Sequence, residues 1–146
     1  MGRFQRALRN GVHRTILMFR CAFIKRRAHR MNSSVYLKTA AVLVFVDMFW
    51  LGTAGIFGRA MIERIQGEPV AFRFVSAAAV YFFLAYLLLG TSSYMEAFMR
   101  GLCVYGVYEF TNYSVFERYD WKFAVADTLW GGVLFVIARY FLKNVV

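Results

Sequence analysis

Proline is almost missing from this sequence. Pro69 is the only one in 146 residues. Long helices on either side of it therefore meet no proline break. Histidine occurs twice, at His13 and His29, both within the first 30 residues. The rest of the chain has no imidazole, which argues there against a haem or zinc centre held by histidine and against a serine–histidine nucleophile. Two cysteines, Cys21 and Cys103, do not make a disulfide framework; they read as small soft hydrophobes. Acids are absent from residues 1–38, which carry ten basic side chains: Arg3, Arg6, Arg9, Arg14, Arg20, Lys25, Arg26, Arg27, Arg30 and Lys38. From residue 39 onward eight basic and eight acidic residues cancel.

Apolar side chains are what the chain has most of, at 60% hydrophobic and 19% aromatic. A water-soluble domain of this length could not hide so much apolar surface. Residues 39–57 contain one charge, Asp47, and residues 74–95 contain none. A bilayer core needs roughly 20 apolar residues per helical crossing. The reading is an all-α membrane protein: a basic amphipathic arm over 1–35, then a bundle over 36–146. Four transmembrane helices are expected, at about 37–58, 73–94, 97–116 and 122–142. The third contains Arg100 and Glu109, the fourth Asp127 and Arg139. Between the first two, a helical turn and a break at Gly67 and Pro69 are expected. Lys and Arg near the span ends place the arm, the second loop and the C-terminus on one side, cytoplasmic or matrix. Tyr36, Tyr94, Tyr113, Tyr119, Trp121 and Tyr140 fall near span ends, as an interfacial aromatic belt would.

Within the arm, Phe4, Leu8, Val12, Ile16, Phe19 and Phe23 share one helical arc, opposite Arg3, Arg6, Arg9, Arg14 and Arg20. Such a helix suits a membrane interface. Lys25, Arg26, Arg27 and Arg30 then attract anionic lipid, at about 1 kcal/mol per basic residue near the surface. These nine cations are the expected contacts to lipid headgroups or partner subunits; nucleic acid is not an expected partner. The arm also has the character of an organelle-targeting segment, amphipathic, Arg-rich and acid-free, and it is expected to stay on the chain.

A carboxylate in an apolar span is costly and normally faces the bundle interior with a partner. "DMFWLG" around Asp47 and "DTLWGG" around Asp127 share a spelling: Asp, two residues, Trp, then Gly, giving Asp47–Trp50 and Asp127–Trp130. In the third span Tyr105, Tyr108, Glu109 and Asn112 share one stripe at i, i+3, i+4, i+7. Arg100 sits on the opposite side of that helix and pairs with Glu96 instead. These eight residues form the expected polar core. Two readings stand. One is a hydrogen-bonded clasp between helices, with Gly52, Gly55, Gly58, Gly131 and Gly132 allowing close approach. The other is a proton or cation site built from Asp47, Glu109 and Asp127. Two aspartates on separate spans would also serve an intramembrane protease, but the glycine-rich setting of that chemistry is absent. The glycosylation patterns at Asn32 and Asn112 are read as chance.

The stretches "DMFWLG", "YGVYEFTNY" and "DTLWGG" resemble a family of small four-helix predicted membrane proteins, domain of unknown function 2177. Asp47, Trp50, Leu51, Tyr105, Gly106, Tyr108, Thr111, Asn112, Asp127, Trp130 and Gly131 match its pattern; Glu109 stands where the family usually has Asp. The resemblance covers about residues 39–142 and implies no activity. No catalytic residue, metal or cofactor is expected. The expected role is that of an accessory or structural subunit of a larger membrane complex. A respiratory or ATP synthase assembly of the mitochondrial inner membrane fits best, with the arm on the matrix side against cardiolipin. The alternatives are a small proton or cation transporter and a membrane component of a large virus particle; a bacterial membrane is the other possible location.

Overall fold

The computed structural model describes residues 33–145. The expected arm helix, with its nine lipid-facing cations, lies outside them. The chain divides into two units, Met1–Val35 and Tyr36–Val146, and the second is a bundle of helices. Five helices and no strand occur among the described residues: α1 (Ser33–Thr53), α2 (Gly55–Gln66), α3 (Phe74–Leu89), α4 (Tyr94–Val115) and α5 (Trp121–Val145).

The first expected span is shorter than its apolar run. Thr53 bends back, its hydroxyl donating to the carbonyls of Phe49 at 2.9 Å and Trp50 at 3.2 Å. Such back-bonding tends to bend a helix, and α1 ends there. In place of the single turn expected after it, α2 runs for 12 residues. Glycine closes α2: Gly67 adopts φ 77° and its N–H bonds Glu63 O at 2.9 Å. Only glycine takes that left-handed cap without strain, and Pro69 then prevents continuation. Glu63 fastens the exit by accepting from Val70 N at 3.2 Å and Arg59 Nε at 2.9 Å.

Caps set the starts of α4 and α5. Ser93 accepts from Glu96 N at 3.1 Å, while the Glu96 side chain accepts from Ser92 N at 2.7 Å. That is the reciprocal arrangement of a capping box, shifted by one residue. Asp120 accepts from Lys122 N at 2.7 Å and starts α5.

Packing is closest between α4 and α5, with α3 against α4. Glycines let this happen. A Cβ on Gly101 would collide with the backbone of Gly131, and one on Gly132 would meet the Phe98 ring at 2.7 Å. The main core joins four helices through Leu43 and Val46, Leu84, Ala85 and Leu88, Ala97, then Leu134, Phe135 and Ala138. A second cluster, Met61, Tyr119 and Ala124, lays α2 over the α4–α5 turn. Gly58 receives the Phe123 ring there. Gly52 and Gly55 do not serve the close approach expected of them: nothing lies within 4 Å of the first, and the second meets only Leu51 and Trp50 in the last turn of α1, at an ordinary 3.6 Å.

The outer surface is apolar. Phe45 and Phe74 are each 78% exposed and Val75 is 85% exposed, which places lipid rather than water around the bundle. Among the described residues two helices have the length and apolarity of a membrane crossing, at Ser33–Thr53 and Trp121–Asn144. With 16 residues, α3 spans about 24 Å, less than the roughly 30 Å of a hydrocarbon core.

Candidate functional site

The two Asp-x-x-Trp motifs meet, and they exchange partners. Trp130 Nε1 donates to Asp47 Oδ1 at 2.8 Å, and Trp50 Nε1 donates to Asp127 Oδ1 at 2.5 Å. Side chains three apart on a helix share a face, one turn from each other. Moving three residues forward along α1, from Asp47 to Trp50, moves three back along α5, from Trp130 to Asp127. The two helices therefore face each other antiparallel, and each aspartate finds the other motif's indole. The two indoles stack between these bonds, with centroids 5.0 Å apart and planes 7° from parallel.

Further donors complete the cluster. Tyr81 on α3 donates its hydroxyl to Asp47 Oδ2 at 2.8 Å, and the Tyr105 hydroxyl on α4 reaches the same carboxylate. Tyr119, in the α4–α5 turn, donates to Glu109 Oε2 at 2.8 Å. Glu109 and Asp127 face each other across α4 and α5. Asn112 reaches the Tyr119 hydroxyl. Glu109 is 1%, Asp47 6% and Asp127 9% exposed, so the three carboxyls depend on these donors. Among the described residues no salt bridge reaches them; the ion pairs formed are Arg59–Glu63 and the expected Arg100–Glu96. No three histidine, cysteine or acidic side chains among the described residues are grouped to hold a metal ion.

Chemically the indoles matter most. A Trp N–H can only donate, so each one holds a carboxyl oxygen as an acceptor. The stacked pair then forms a rigid double bridge between α1 and α5, which make few backbone contacts of their own.

Seven of the eight expected core residues lie in or beside this cluster. Tyr108 is the correction: it is 63% exposed, because the stripe turns Tyr105 and Glu109 inward and leaves position 108 at its outer edge. Two participants were not foreseen. Tyr81 sits in a charge-free run and carries no sequence signal beyond being a tyrosine on the helix opposite an acid. Tyr119 was assigned to the interfacial belt, yet it is only 6% exposed, covered by Met61 of α2. Asp120 N even donates to Met61 Sδ at 3.1 Å.

Burial, and then the bond to Glu109, raises the Tyr119 phenol above its ordinary value of 10.0. A group raised in the folded state adds stability below its unfolded value and loses it as pH climbs. Tyr119→Phe should therefore cost about 1–3 kcal/mol near neutrality, by stripping a buried carboxyl of a donor. Above pH 10 its stability should fall less steeply than that of the parent chain. Denaturation midpoints measured across the alkaline range check both parts; parallel curves would remove the buried-phenol assignment.

At the opposite end of the bundle two arginines hold the turn between α3 and α4. Arg100 Nη1 donates to Leu87 O at 3.0 Å, and Arg139 Nη1 donates to Thr91 O at 2.8 Å and to Thr91 Oγ1 at 2.6 Å. Cations there complement the C-terminal end of α3.

Comparisons with curated proteins and with solved structures give no match. The helical bundle with its apolar exterior and buried acids agrees with a matching family model, that of a predicted membrane protein, over residues 32–141: the chain belongs to the DUF2177 family, and it is a membrane protein.

Proposed function

We propose that this protein is a non-catalytic structural subunit of a larger membrane assembly, and that its buried acids are a clasp rather than a reaction centre. One observation carries the reading. Among the described residues no buried side-chain nitrogen or oxygen lacks a hydrogen-bond partner. A cluster whose donors and acceptors are already matched holds helices together and leaves little for a substrate to take up. In this reading four helices cross the bilayer: α1, α3, α4 and α5, with α2 lying across the far end. The short α3 is accommodated by Phe72 and Phe74, exposed side by side where the chain enters it.

The assembly we favour is a respiratory or ATP synthase complex of the mitochondrial inner membrane. Support comes from composition: an Arg-rich, acid-free arm suits an organelle-targeted chain and the anionic lipid of that membrane. A second reading, a proton carrier, draws on the Glu109–Asp127 contact. Two buried carboxyl groups set against each other favour holding one proton between them.

Purification from native membranes in mild detergent separates the two. A structural subunit is expected to migrate with a complex many times its own mass of 16.9 kDa. Migration as a free small protein, with proton uptake into vesicles that Glu109→Gln abolishes, would replace the subunit reading by the carrier.

A further inference from the structure

We propose that α2 is an interfacial anchor: its face of Ile56, Phe57 and Ala60 sinks into the outer edge of the lipid at the far end of the bundle, beside the crossing helices. The inference rests on the membrane-spanning reading above. It adds a membrane attachment made by apolar burial rather than by charge.

At about 100° per residue, the side chains of α2 fall into three sectors. Gly58, Met61, Ile62 and Ile65 pack on Tyr119, Phe123 and Ala124 of the bundle. Arg59, Glu63 and Gln66 form a polar sector, in which Arg59 pairs with Glu63 and Gln66 donates to Glu68 O at 2.7 Å. Ile56, Phe57 and Ala60 form the third sector and point away from the bundle: Ile56 is 63% and Phe57 75% exposed, and Ala60 is exposed too. A helix on the surface of a water-soluble protein needs one apolar face and one polar face. A second apolar face, turned outward, suits a helix set between bundle, lipid and water. Arg64 is the one charge in that outward sector. It stands in the last turn, its Nε donates to Ala60 O at 3.3 Å, and its long stem can carry the guanidinium to the headgroups.

Helix lengths set α2 at the right depth. With 21 residues, α1 spans about 31 Å, close to the roughly 30 Å of a hydrocarbon core, and α2 starts at Gly55, just past its end. Residues 67–73 then lead from α2 into the short α3. Phe72, Phe74, Phe116 and Trp121 are exposed around the same end. They continue the apolar surface of the bundle up to α2, as aromatic side chains do at a membrane interface. Because Glu63 balances Arg59, the polar sector carries no net charge, and the attachment does not call for anionic lipid.

The test uses the full chain in vesicles, with nitroxide labels read by electron paramagnetic resonance against oxygen, which enters lipid, and a nickel chelate, which stays in water. Cys21→Ser leaves Cys103 as the labelled site; it is exposed near the middle of α4 and reports the hydrocarbon. Cys21→Ser with Cys103→Ser is the background for Ala60→Cys and Gln66→Cys, neither of which replaces a core side chain. The label at position 60 is expected about 5–10 Å inside the headgroup boundary, and the label at position 66 in water. Both depths should be the same in phosphatidylcholine alone and with phosphatidylglycerol added. Ile56→Ser with Phe57→Ser should move the label at position 60 out toward water while a label on Cys103 stays in hydrocarbon. Equal access of nickel to positions 60 and 66 overturns the anchor, and so does a depth that requires phosphatidylglycerol. Spin–spin broadening at position 60 would assign the face to a second copy of the chain and overturn the lipid. The label on Cys103 keeps the two claims apart. Hydrocarbon there with water at position 60 rejects the anchor alone, whereas water at Cys103 rejects the membrane-spanning reading.

Discussion

Replacing Asp47 by leucine is expected to destabilise the bundle by about 1–3 kcal/mol, with assembly lost in step. Leucine removes both oxygens that Trp130 and Tyr81 address. The indole N–H then points into an apolar interior with no acceptor. Asp47→Asn should stay close to the parent. Its amide oxygen still accepts from Trp130, and its NH2 faces Tyr81, whose hydroxyl can turn from donor to acceptor. A tyrosine partner tolerates the exchange and a tryptophan partner does not, so the ranking follows from which oxygen each one holds. Single contacts between membrane helices average nearer 0.6 kcal/mol, and the larger figure expected here reflects three donors stranded at once, Trp130, Tyr81 and Tyr105. Chemical denaturation in detergent, read beside complex assembly, checks it; parent-like stability of Asp47→Leu would refute the clasp.

An effect at least as large is expected from Gly101→Val. The first added carbon would overlap the Gly131 carbonyl and come within 2.9 Å of the Phe135 ring. Backbone cannot swing aside as a side-chain tip can, so α4 and α5 must separate along their closest contact. Overpacking of this kind costs about 1–3 kcal/mol and sometimes more. The separation would also pull Glu109 from Asp127, which adds to the loss. Gly52→Ala supplies the contrast. Nothing lies within 4 Å of that position, and alanine inside a helix is better than glycine by up to about 1 kcal/mol. Thermal midpoints should therefore fall sharply for the first variant and hold or rise for the second. Equal effects would mean that the α4–α5 contact does not depend on its glycines.

The helices were legible because lipid leaves long apolar runs with few interruptions, and charge breaks at Arg59 and Arg73 bracket the first connection. Its interior was harder. Residues 59–66 mix charged and apolar side chains in a way that suits a surface turn as well as a helix, and only the packing of Met61 and Gly58 over the α4–α5 turn decides for α2. The acids stood out because each is expensive where it sits, and the repeated Asp-x-x-Trp spelling named both donors and acceptors. The crosswise pairing could not be read from spelling alone: i, i+3 spacing places Asp and Trp on one face, and only a facing antiparallel copy turns that into exchange. Tyrosine hides its role most effectively. Tyr81, Tyr105, Tyr108 and Tyr119 have the same side chain, and burial alone separates three hydrogen-bond donors from one outer-surface ring.

The exchange between α1 and α5 is tested most directly at the indole N–H groups. The chain has three tryptophans, Trp50, Trp121 and Trp130, and hence three indole signals in a spectrum of tryptophan labelled with nitrogen-15. Trp121 is 56% exposed and serves as the internal control. Asp127→Asn is expected to move the Trp50 signal most and Asp47→Asn the Trp130 signal most, with Trp121 unmoved in both. Slow hydrogen exchange at the first two signals should accompany this. If Asp47→Asn instead moves Trp50, its neighbour on the same helix, and leaves Trp130 in place, the two motifs do not exchange partners and the clasp as described is wrong.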